Sequence, residues 1–298
     1  MNAPLQLLLY FFLYAFLGWC AEVAFAAVTT RQLVNRGFLN GPQCPIYGFG
    51  MVALLVTLGP WRQNLPAVFF GSMVLATLVE LVGGWLLYRL FHTRWWDYTD
   101  QRWNLGGYIC PKFSLLWGLG GAVMLTVVHP LLARPVQHIP RGALLAADLV
   151  LLAGFLADTA ISFAQAAGLT RQLRSLDELG SGIRRLSDRM TEHIGTRAMT
   201  VDTLLDEQKL QLMLAAMEGR DNAAALREQL LELAARAGAQ RQALEKLARQ
   251  RYFGAGRLLR AFPHMQVPDH AEAVARLRTA TARLTRQLRD HMGGRRQK

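Results

Sequence analysis

Apolar residues form long, nearly uninterrupted runs in the first half of the chain and short periodic runs in the second half. A membrane-spanning helix needs about 20 apolar residues, with about 17 to 25 as the usual range. The candidate spans are Leu5–Val28, Ile46–Trp61, Ala67–Tyr88, Phe113–Leu132 and Ala143–Ala167. The pattern therefore predicts an all-α membrane domain of about five transmembrane helices. The second run is short and begins at a glycine-rich turn, so we expect a broken or tilted helix there.

The second half has the pattern of amphipathic helices. From Leu169 onward, apolar residues recur at spacings of three and four, which places them on one helix face. Two stretches share this spacing: Leu173, Leu176, Leu179, Ile183, Leu186 and Met190, and then Leu226, Leu230, Leu233, Ala237, Leu244 and Leu247. Each is about three heptads long, which is marginal for a coiled coil, so the helices either fold back into a bundle or pair between subunits. A last amphipathic helix is predicted through Leu277, Leu284 and Leu288.

Charge divides the chain at the same place as hydropathy. Residues 1–168 contain nine Lys/Arg and six Asp/Glu, whereas residues 169–298 contain 24 and 15. This predicts a transmembrane domain over residues 1–168 and a cytoplasmic helical tail over residues 169–298. No nucleic-acid partner is predicted from the net charge of +12, because basic and acidic residues are interspersed along the tail. We expect a solvated surface near anionic lipid instead, with a basic cluster only at residues 295–298.

Basic residues in the short loops predict the orientation, since cytoplasmic loops are enriched in Lys and Arg. The first and third loops contain Arg31, Arg36, Arg89, Arg94, Arg102 and Lys112, whereas the second and fourth contain Arg62, Arg134 and Arg141. We therefore expect a membrane protein with its N-terminus outside and its C-terminal tail in the cytoplasm. The first apolar run has no basic segment before it and exceeds a signal-peptide core, so we interpret it as a retained helix.

Two glutamates, Glu22 and Glu80, lie inside the first and third apolar runs. An acid in hydrocarbon costs about 2.5 to 3.5 kcal/mol on insertion scales, so it normally faces other protein or water. The two positions predict a polar site inside the membrane domain. The structural alternative is a buried hydrogen-bonded pair that fixes helix register. Such bonds average only about 0.6 kcal/mol in membranes, which is a weak reason to retain an acid.

The fifth apolar run carries two further acids. Asp158 shares a helix face with Ser162 and Gln165, so it is a third candidate for the polar site. Asp148 is nearer the outer end of the span, and we expect it to be solvated or at the level of the lipid headgroups.

Each glutamate is followed by a loop that ends in a Cys-Pro step. The first loop reads Asn35-Arg36-Gly37-Phe38-Leu39-Asn40-Gly41-Pro42-Gln43-Cys44-Pro45-Ile46-Tyr47-Gly48, and the second contains Trp95-Trp96-Asp97-Tyr98, Asn104-Leu105-Gly106-Gly107 and Cys110-Pro111. The repeated order indicates a duplicated unit, and interrupted segments at matching positions are typical of transporter binding sites. The alternative is that Gly and Pro only end helices and allow close packing.

The loop residues add polar chemistry to the glutamates. Exposed N–H groups beside Arg36 are suited to holding a phosphate or carboxylate. In the later loop, Asp97 and Asn104 are the polar candidates, whereas Trp95 and Trp96 are expected to anchor the loop at the membrane interface.

The cysteines are Cys20, Cys44 and Cys110. A Cys44–Cys110 disulfide is not expected on the reducing side of a membrane, and without clustered histidines no metal site is predicted. The sequence has no Gly-x-x-x-x-Gly-Lys-[Ser/Thr] loop. No cofactor is therefore predicted, and any nucleotide-binding subunit is expected to be a separate partner.

The motifs together resemble a bacterial family named putative ABC-transporter type IV, or putative ABC transporter permease. The resemblance rests on Gly18-Trp19-x-x-Glu22, the run from Asn35 to Gly48, Glu80, Trp96-Asp97-Tyr98 and Asn104. It covers about residues 8 to 125, and Arg257-Leu258-Leu259-Arg260-Ala261-Phe262-Pro263 resembles the C-terminal part of longer members. The resemblance implies a role in transport. Cys110-Pro111 departs from it, since an apolar residue is expected there, and this weakens the evidence for a duplicated unit.

The sequence therefore predicts a permease-like membrane subunit with a polar site open to the cytoplasm. The predicted site residues are Glu22, Asn35, Arg36, Glu80, Asp97 and Asn104, with Tyr47, Cys44, Trp96 and Asp158 as secondary candidates. The glutamates are expected to exchange protons or accept hydrogen bonds from a polar substrate, and Arg36 to hold an anionic group. The expected partners are the lipid bilayer, a separate ATPase subunit and further copies of the chain, since about five spans are few for a solitary transporter.

Two alternatives remain open at this point. The first is a membrane enzyme that acts on lipid headgroups, with Glu22 or Glu80 as general base, or less favourably with Cys44 as nucleophile. The second is a non-catalytic scaffold that assembles partners through its tail.

Overall fold

The computed structural model describes residues 3–31, 33–194, 206–216, 223–249, 254–263, 265–271, 273–275 and 278–279. Its helices are α1 (Ala3–Thr30), α2 (Pro45–Leu58), α3 (Leu65–Phe91), α4 (Pro111–Val123), α5 (His129–Gln137), α6 (Arg141–Ile194), α7 (Glu207–Ala216), α8 (Ala223–Arg249) and α9 (Ala255–Ala261). A π-helical turn, Met124–Val128, joins α4 to α5. The described residues otherwise contain two isolated β-bridges and no strand, so the predicted all-α class is confirmed.

Four helices are long and apolar enough to cross a membrane. In the described part of the chain these segments are Ala3–Thr29, Leu65–Phe91, Pro111–Gln137 and Arg141–Arg185, and Pro45–Trp61 is a shorter apolar helix. The 14 residues of α2 reach roughly 21 Å, less than the roughly 30 Å of the hydrocarbon core. The predicted polytopic membrane domain is confirmed, and the second run is the short helix that its sequence indicates.

The backbone divides into two compact units, which are described separately. The first contains residues 1–167 and 252–268, and the second contains residues 168–251 and 269–298. The first unit thus includes a segment of the tail, residues 252–268. The predicted division into a transmembrane domain over residues 1–168 and a tail domain over residues 169–298 stays a prediction.

In the first unit, proline fixes where the helices begin. Cys44 and Cys110 are the extended N-cap residues of α2 and α4, and each is followed by a proline in the first turn. Proline is favoured there because the first helical N–H groups have no partner within the helix. Along the chain, α1 packs against α2, α2 against α3 and α3 against α4. The two Cys-Pro steps thus start the return helix of two successive helical hairpins.

The core of the first unit is apolar and is formed by α1, α2, α3, the π-helical turn, α5 and the start of α6. Its buried members are Leu9, Tyr10, Tyr14, Met51, Leu54, Val68, Leu125, Val136 and Leu144. Many other apolar side chains on the spanning helices are exposed, including Val150 at 73%. Exposed apolar residues in such numbers are expected on helices whose outer faces meet lipid.

Asp148 is a correction to the sequence interpretation. It was expected to be solvated or at headgroup level, but it is 1% exposed. It lies on the same face of α6 as Leu144 and Leu151, which belong to the apolar core, because residues three and four apart are neighbours on a helix. Neither carboxylate oxygen has a hydrogen-bond partner among the described residues.

In the second unit, the tail helices pack against one another within the chain. The buried residues are Leu179 and Ile183 of α6, Leu214 of α7, and Leu230 and Ala237 of α8. This is the fold-back arrangement that the sequence allowed. A coiled coil between subunits stays a prediction. Leu277, Leu284 and Leu288, which define the last predicted helix, and the basic cluster at residues 295–298 lie outside the described residues.

Candidate functional site

Glu22 lies in α1 and meets groups from the first loop and from α2. Its Oε1 accepts a 2.7 Å hydrogen bond from the Tyr47 hydroxyl. Its Oε2 lies 3.5 Å from Arg36 Nε, and that nitrogen makes no hydrogen bond within the described residues. About a quarter of each side chain remains exposed, at 27% for Glu22 and 29% for Arg36. The pair is therefore a loose, partly exposed ion pair, and the same carboxylate accepts a short hydrogen bond from the uncharged Tyr47 hydroxyl.

The position of Tyr47 depends on a glycine in the facing helix. A Cβ atom at Gly18 would lie 2.3 Å from Tyr47 Cγ, far inside van der Waals contact. The missing side chain lets the aromatic ring lie directly on the backbone of α1. From there the hydroxyl reaches Glu22, which is four residues further along the same helix.

Glu80 lies in α3 and is 5% exposed. Its Oε1 accepts a 3.0 Å hydrogen bond from the Tyr98 hydroxyl, and its Oε2 accepts a 3.0 Å bond from Trp117 Nε1. Both donors are uncharged, and no salt bridge to Glu80 occurs in the described part of the chain. Burial raises the pKa of the Tyr98 hydroxyl, and the neighbouring Glu80 carboxylate raises it further. Tyr98 therefore stays protonated and remains a donor.

The two glutamates are connected through aromatic rings. Tyr47, which bonds Glu22, meets Trp117, which bonds Glu80, edge to face at a centroid distance of 6.0 Å. No direct hydrogen bond joins the two carboxylates among the residues described. The structure thus brings Glu22, Tyr47 and Glu80 into one neighbourhood, with two members that the sequence analysis missed as site residues, Trp117 and Tyr98. Both residues are aromatic hydrogen-bond donors in apolar surroundings. Their spacing from Glu80 in the sequence did not indicate that they would contact it.

The side chains of Asn35 and Asn104 each hold their own loop together through hydrogen bonds to its backbone. The Oδ1 of Asn35 accepts from Trp19 Nε1 at 2.8 Å and from the Gly37 N–H at 2.9 Å. Its Nδ2 donates to the Asn40 carbonyl at 2.9 Å. Asn104 likewise accepts from the Gly107 N–H at 3.0 Å and donates to backbone carbonyls. Both amides are engaged with the chain itself, so substrate binding by either stays a prediction.

Asp97 is also held within its own loop. It accepts hydrogen bonds from the backbone N–H and hydroxyl of Thr99, at 3.1 and 2.7 Å, and from the side chain of Gln266. Arg94 lies 3.9 Å away. Gly107, at φ +75°, leaves the space into which Asp97 points, because a Cβ there would lie 2.6 Å from Asp97 Oδ1.

The two adjacent tryptophans differ. Trp95 is 4% exposed, and it packs against Phe38 at 5.2 Å and Phe262 at 4.9 Å between ring centroids. The expectation that it anchors the loop at the membrane interface is therefore wrong, since its ring lies inside an aromatic cluster. Trp96 donates from Nε1 to the Tyr108 carbonyl at 2.9 Å, and its interfacial role stays a prediction.

Asp158, in α6, holds the tip of the first loop. It accepts from the Gly41 N–H at 2.7 Å and from the backbone N–H and side-chain amide of Asn40, both at 3.1 Å. The Ser162 hydroxyl donates to it at 3.2 Å. Among the described residues, Asp158 shares no hydrogen-bond partner with Glu22 or Glu80, so it forms a separate hydrogen-bonded cluster.

Cys44 lies under the first loop and is 6% exposed. Burial raises the pKa of its thiol to about 12, and the nearby Glu22 charge adds to this, against smaller opposing effects of Arg257 and Arg36. The thiolate is the nucleophilic form of cysteine. Cys44 is therefore unsuited to act as a nucleophile near neutral pH.

Arg257 is a buried cation that the sequence analysis did not propose for any site. It is 2% exposed and donates from Nη1 to the Gly37 carbonyl and from Nη2 to the Phe38 carbonyl, both at 2.7 Å. Burial lowers its pKa, and the charge of Asp158 partly opposes this. In sequence it is one basic residue among many in the tail, and only its place in the Arg257–Pro263 resemblance distinguished it.

The segment around Arg257 also binds the loop that follows α3. Gln266 and Arg94 exchange two backbone hydrogen bonds, at 2.7 and 2.9 Å, in an antiparallel bridge. Together with the contact of Phe262 on Trp95 and the bonds of Arg257 to the first loop, this attaches residues 254–263 and 265–268 to both loops that end in Cys-Pro steps. We call these residues the clasp. No group of three or more His, Cys, Asp or Glu side chains in the described ranges could hold a metal ion.

Comparison with known proteins gives one match. A family model described as "Putative ABC-transporter type IV" matches residues 9–163, just over half of the chain. The matched range includes Glu22, Glu80, both loops and Asp158, but not the clasp. No curated protein and no solved structure matches the chain significantly.

Proposed function

Because the chain belongs to the "Putative ABC-transporter type IV" family, we propose that it is the permease-like membrane subunit of a transport system. It resides in the bacterial inner membrane with its N-terminus outside and its tail in the cytoplasm. It works as an oligomer or within a larger complex, together with a separate ATPase subunit. The positive charge of the two loops that end in Cys-Pro steps supports this orientation.

The environment of Glu80 is the single observation that carries the proposal. A carboxyl group buried in a spanning helix is expensive and normally marks an ion or substrate pathway. Glu80 is 5% exposed and is held by the hydroxyl of Tyr98 and the N–H of Trp117 rather than by a cation. Both donors can hydrogen-bond to an ionised carboxylate. Because no cation is bonded to Glu80 in the described structure, no ion pair opposes its uptake of a proton.

Glu22 has the complementary environment. Its loose ion pair with Arg36 is partly exposed, so a polar or anionic group entering from the loop side can exchange with it. In the proposed cycle, Arg36 holds the anionic part of the substrate, Tyr47 keeps its hydrogen bond to the freed Glu22, and Glu80 takes up or releases a proton. The ring contact between Tyr47 and Trp117 links the two steps mechanically.

The alternative of a membrane enzyme is not favoured by a specific observation. Its cysteine form requires a thiolate at Cys44, whose pKa is raised to about 12. The scaffold alternative does not explain why an acidic residue, Glu80, is buried in a spanning helix.

The test combines copurification with a matched pair of substitutions. Affinity purification from native membranes is expected to bring down an ATPase, and Glu80→Gln is expected to reduce the ATP turnover of that complex at least tenfold. Glutamine keeps the shape, accepting from Trp117 and donating to the Tyr98 oxygen, so the thermal unfolding midpoint should change little. Glu178→Gln, at a residue whose side chain is 68% exposed, is the control. Absence of an ATPase, or unchanged turnover in Glu80→Gln, would contradict the proposal.

A further inference from the structure

A cleft of about 530 Å³ lies between the tip of the first loop and one face of α6. The loop contributes residues 40–43, and the helix contributes a strip from Val150 to Gln165. Neither Glu22 nor Glu80 lines the cleft, so it is separate from the proposed transport site.

The two ends of the cleft differ in chemistry. Its lower part is lined by Val150, Leu151 and Phe155, and Val150 is 73% exposed. This part belongs to the apolar stretch of a candidate membrane span. Its upper part is lined by the loop and by the polar residues Asp158 and Gln165. An apolar strip on a candidate membrane span, next to a polar loop, suits an amphipathic ligand with an acyl chain and a polar headgroup.

The polar end is rich in acceptors. Asp158 is its only charged lining residue. The side-chain oxygens of Asn40, Gln43 and Gln165 are all cut off from solvent and have no hydrogen-bond partner in the described structure. For Asn40 the assignment of the oxygen is fixed, because its Nδ2 donates to Asp158 and Ser162.

Unpaired buried carbonyl oxygens are unfavourable. Terminal amide torsions are broad, so a small rotation of Gln43 or Gln165 lets its oxygen receive a donor that enters the cleft. A donor that also carries positive charge is favoured by Asp158. A primary ammonium has three N–H donors and no acceptor, so it can donate to the acceptor oxygens at this end of the cleft.

We propose that the cleft is a binding site for an aminophospholipid with a primary ammonium headgroup, such as phosphatidylethanolamine. The ammonium lies among Asn40, Gln43, Asp158 and Gln165, and an acyl chain lies along Val150 and Phe155. A trimethylated headgroup has the same net charge but no N–H donor. An anionic glycerol headgroup has hydroxyl donors but adds a negative charge beside Asp158.

The test is native mass spectrometry of the full chain in detergent, with phosphatidylethanolamine and phosphatidylcholine of identical acyl chains in competition. Since these lipids have the same net charge, the basic tail does not distinguish them. Retention of phosphatidylethanolamine is expected to exceed that of phosphatidylcholine about tenfold, the difference expected for hydrogen bonds to a charged donor. Equal retention of the two lipids would overturn the proposal, as would preferential retention of phosphatidylglycerol.

Two matched pairs of variants locate the site. A side chain at Gly154 enters open space in the cleft, and one at Gly142 enters open space elsewhere on the same helix. Gly154→Leu should abolish the lipid preference, and Gly142→Leu should leave it intact. Gln165→Leu should reduce the preference severalfold, whereas Gln137→Leu, at an exposed residue of α5, should not. A preference that survives Gly154→Leu, or a change of oligomeric state in that variant instead of lipid loss, would show that the cleft holds no lipid.

Discussion

At the scale of single residues, Glu80, Asp158 and Arg257 are charged side chains held mainly by neutral polar groups. Glu80 receives aromatic O–H and N–H donors, Asp158 receives loop N–H groups, and Arg257 donates to loop carbonyls. Removing one partner of such a buried arrangement leaves the other unsatisfied, which is more damaging than the loss of an exposed ion pair. Mutations at these residues are therefore expected to have large and specific effects.

Arg257→Met is expected to loosen the clasp. It leaves the buried carbonyls of Gly37 and Phe38 without their donor, and we expect a loss of about 3 kcal/mol in the free energy of unfolding. The measurement is the thermal unfolding midpoint in detergent, with limited proteolysis of the first loop as a local readout. Arg174→Met is the control, because the Arg174 side chain is 73% exposed and its ion pair with Glu178 contributes little. Equal effects of the two substitutions would contradict the structural role of Arg257.

The thiol of Cys44 gives a prediction about pH. Folding raises its pKa from an ordinary value of 9.0 to about 12, so at pH 8 the folded protein contains about a thousandfold less thiolate than the unfolded chain. Alkylation of Cys44 by iodoacetamide should be slower by at least that factor in the folded state. The protonated thiol contributes its full stability below about pH 9, and this contribution is lost as the pH rises toward 12. Fast alkylation of the native protein at pH 8, measured by peptide mass spectrometry in a Cys20→Ala background, would refute the buried placement.

At the scale of helices, close approach of α1 and α2 sets the geometry around Glu22. Gly18 and Gly48 both face aromatic side chains at distances that leave no room for a Cβ atom, from Tyr47 and Phe11 respectively. Small residues at helix contacts are a general device in membranes, where association depends on packing rather than on hydrophobic burial. The glycines thus determine whether the Tyr47 hydroxyl can reach Glu22.

Gly18→Ala is expected to separate α1 from α2 and to break the bond between Tyr47 and Glu22. Overpacking of this kind typically destabilises by about 1 to 3 kcal/mol. Gly50→Ala is the matched control in α2, because nothing lies within 4 Å of its Cβ position, and it should stabilise by up to about 1 kcal/mol. Thermal unfolding in detergent compares them, and similar midpoints for both variants would contradict the packing.

At the scale of the whole molecule, the orientation in the membrane decides which loops face the cytoplasm. The loop after α2 and the loop after α3 are expected on opposite sides, with the latter in the cytoplasm. The clasp binds both Cys-Pro loops, which requires those two loops to lie on one side. Since α1 ends at the first of these loops, the side on which the loops lie also decides on which side the N-terminus lies.

Single cysteines at Gln63 and Arg102 test this topology. Both residues are exposed, and the natural cysteines can be replaced by alanine. In intact spheroplasts an impermeant maleimide should label the cysteine at Gln63, whereas the cysteine at Arg102 should react only after permeabilisation. The reverse pattern would invert the proposed orientation, and labelling of both before permeabilisation would show that the membrane domain is misassigned.

Much of the local structure follows from the sequence because it depends on short-range rules. Apolar run length predicts the spans, proline predicts the starts of α2 and α4, and three-and-four spacing predicts the tail helices. The polar positions Glu22 and Glu80 are also visible, because an acid within an apolar run is conspicuous at any distance from its partners. Asp148 and Trp95 were misjudged because their burial depends on which helix face or loop packs over them.

Hydropathy and local backbone preference fixed the helical class, the membrane spans and the candidate acids of this chain. Tertiary structure alone decided that Trp117 and Tyr98 serve Glu80, that Asp158 holds the first loop, and that Arg257 reaches that loop from more than 200 residues away. The physical reason is that hydrogen bonding and close packing are short-range in space but unrestricted in sequence separation. Which donor meets which acceptor therefore becomes determined only when the helices have packed.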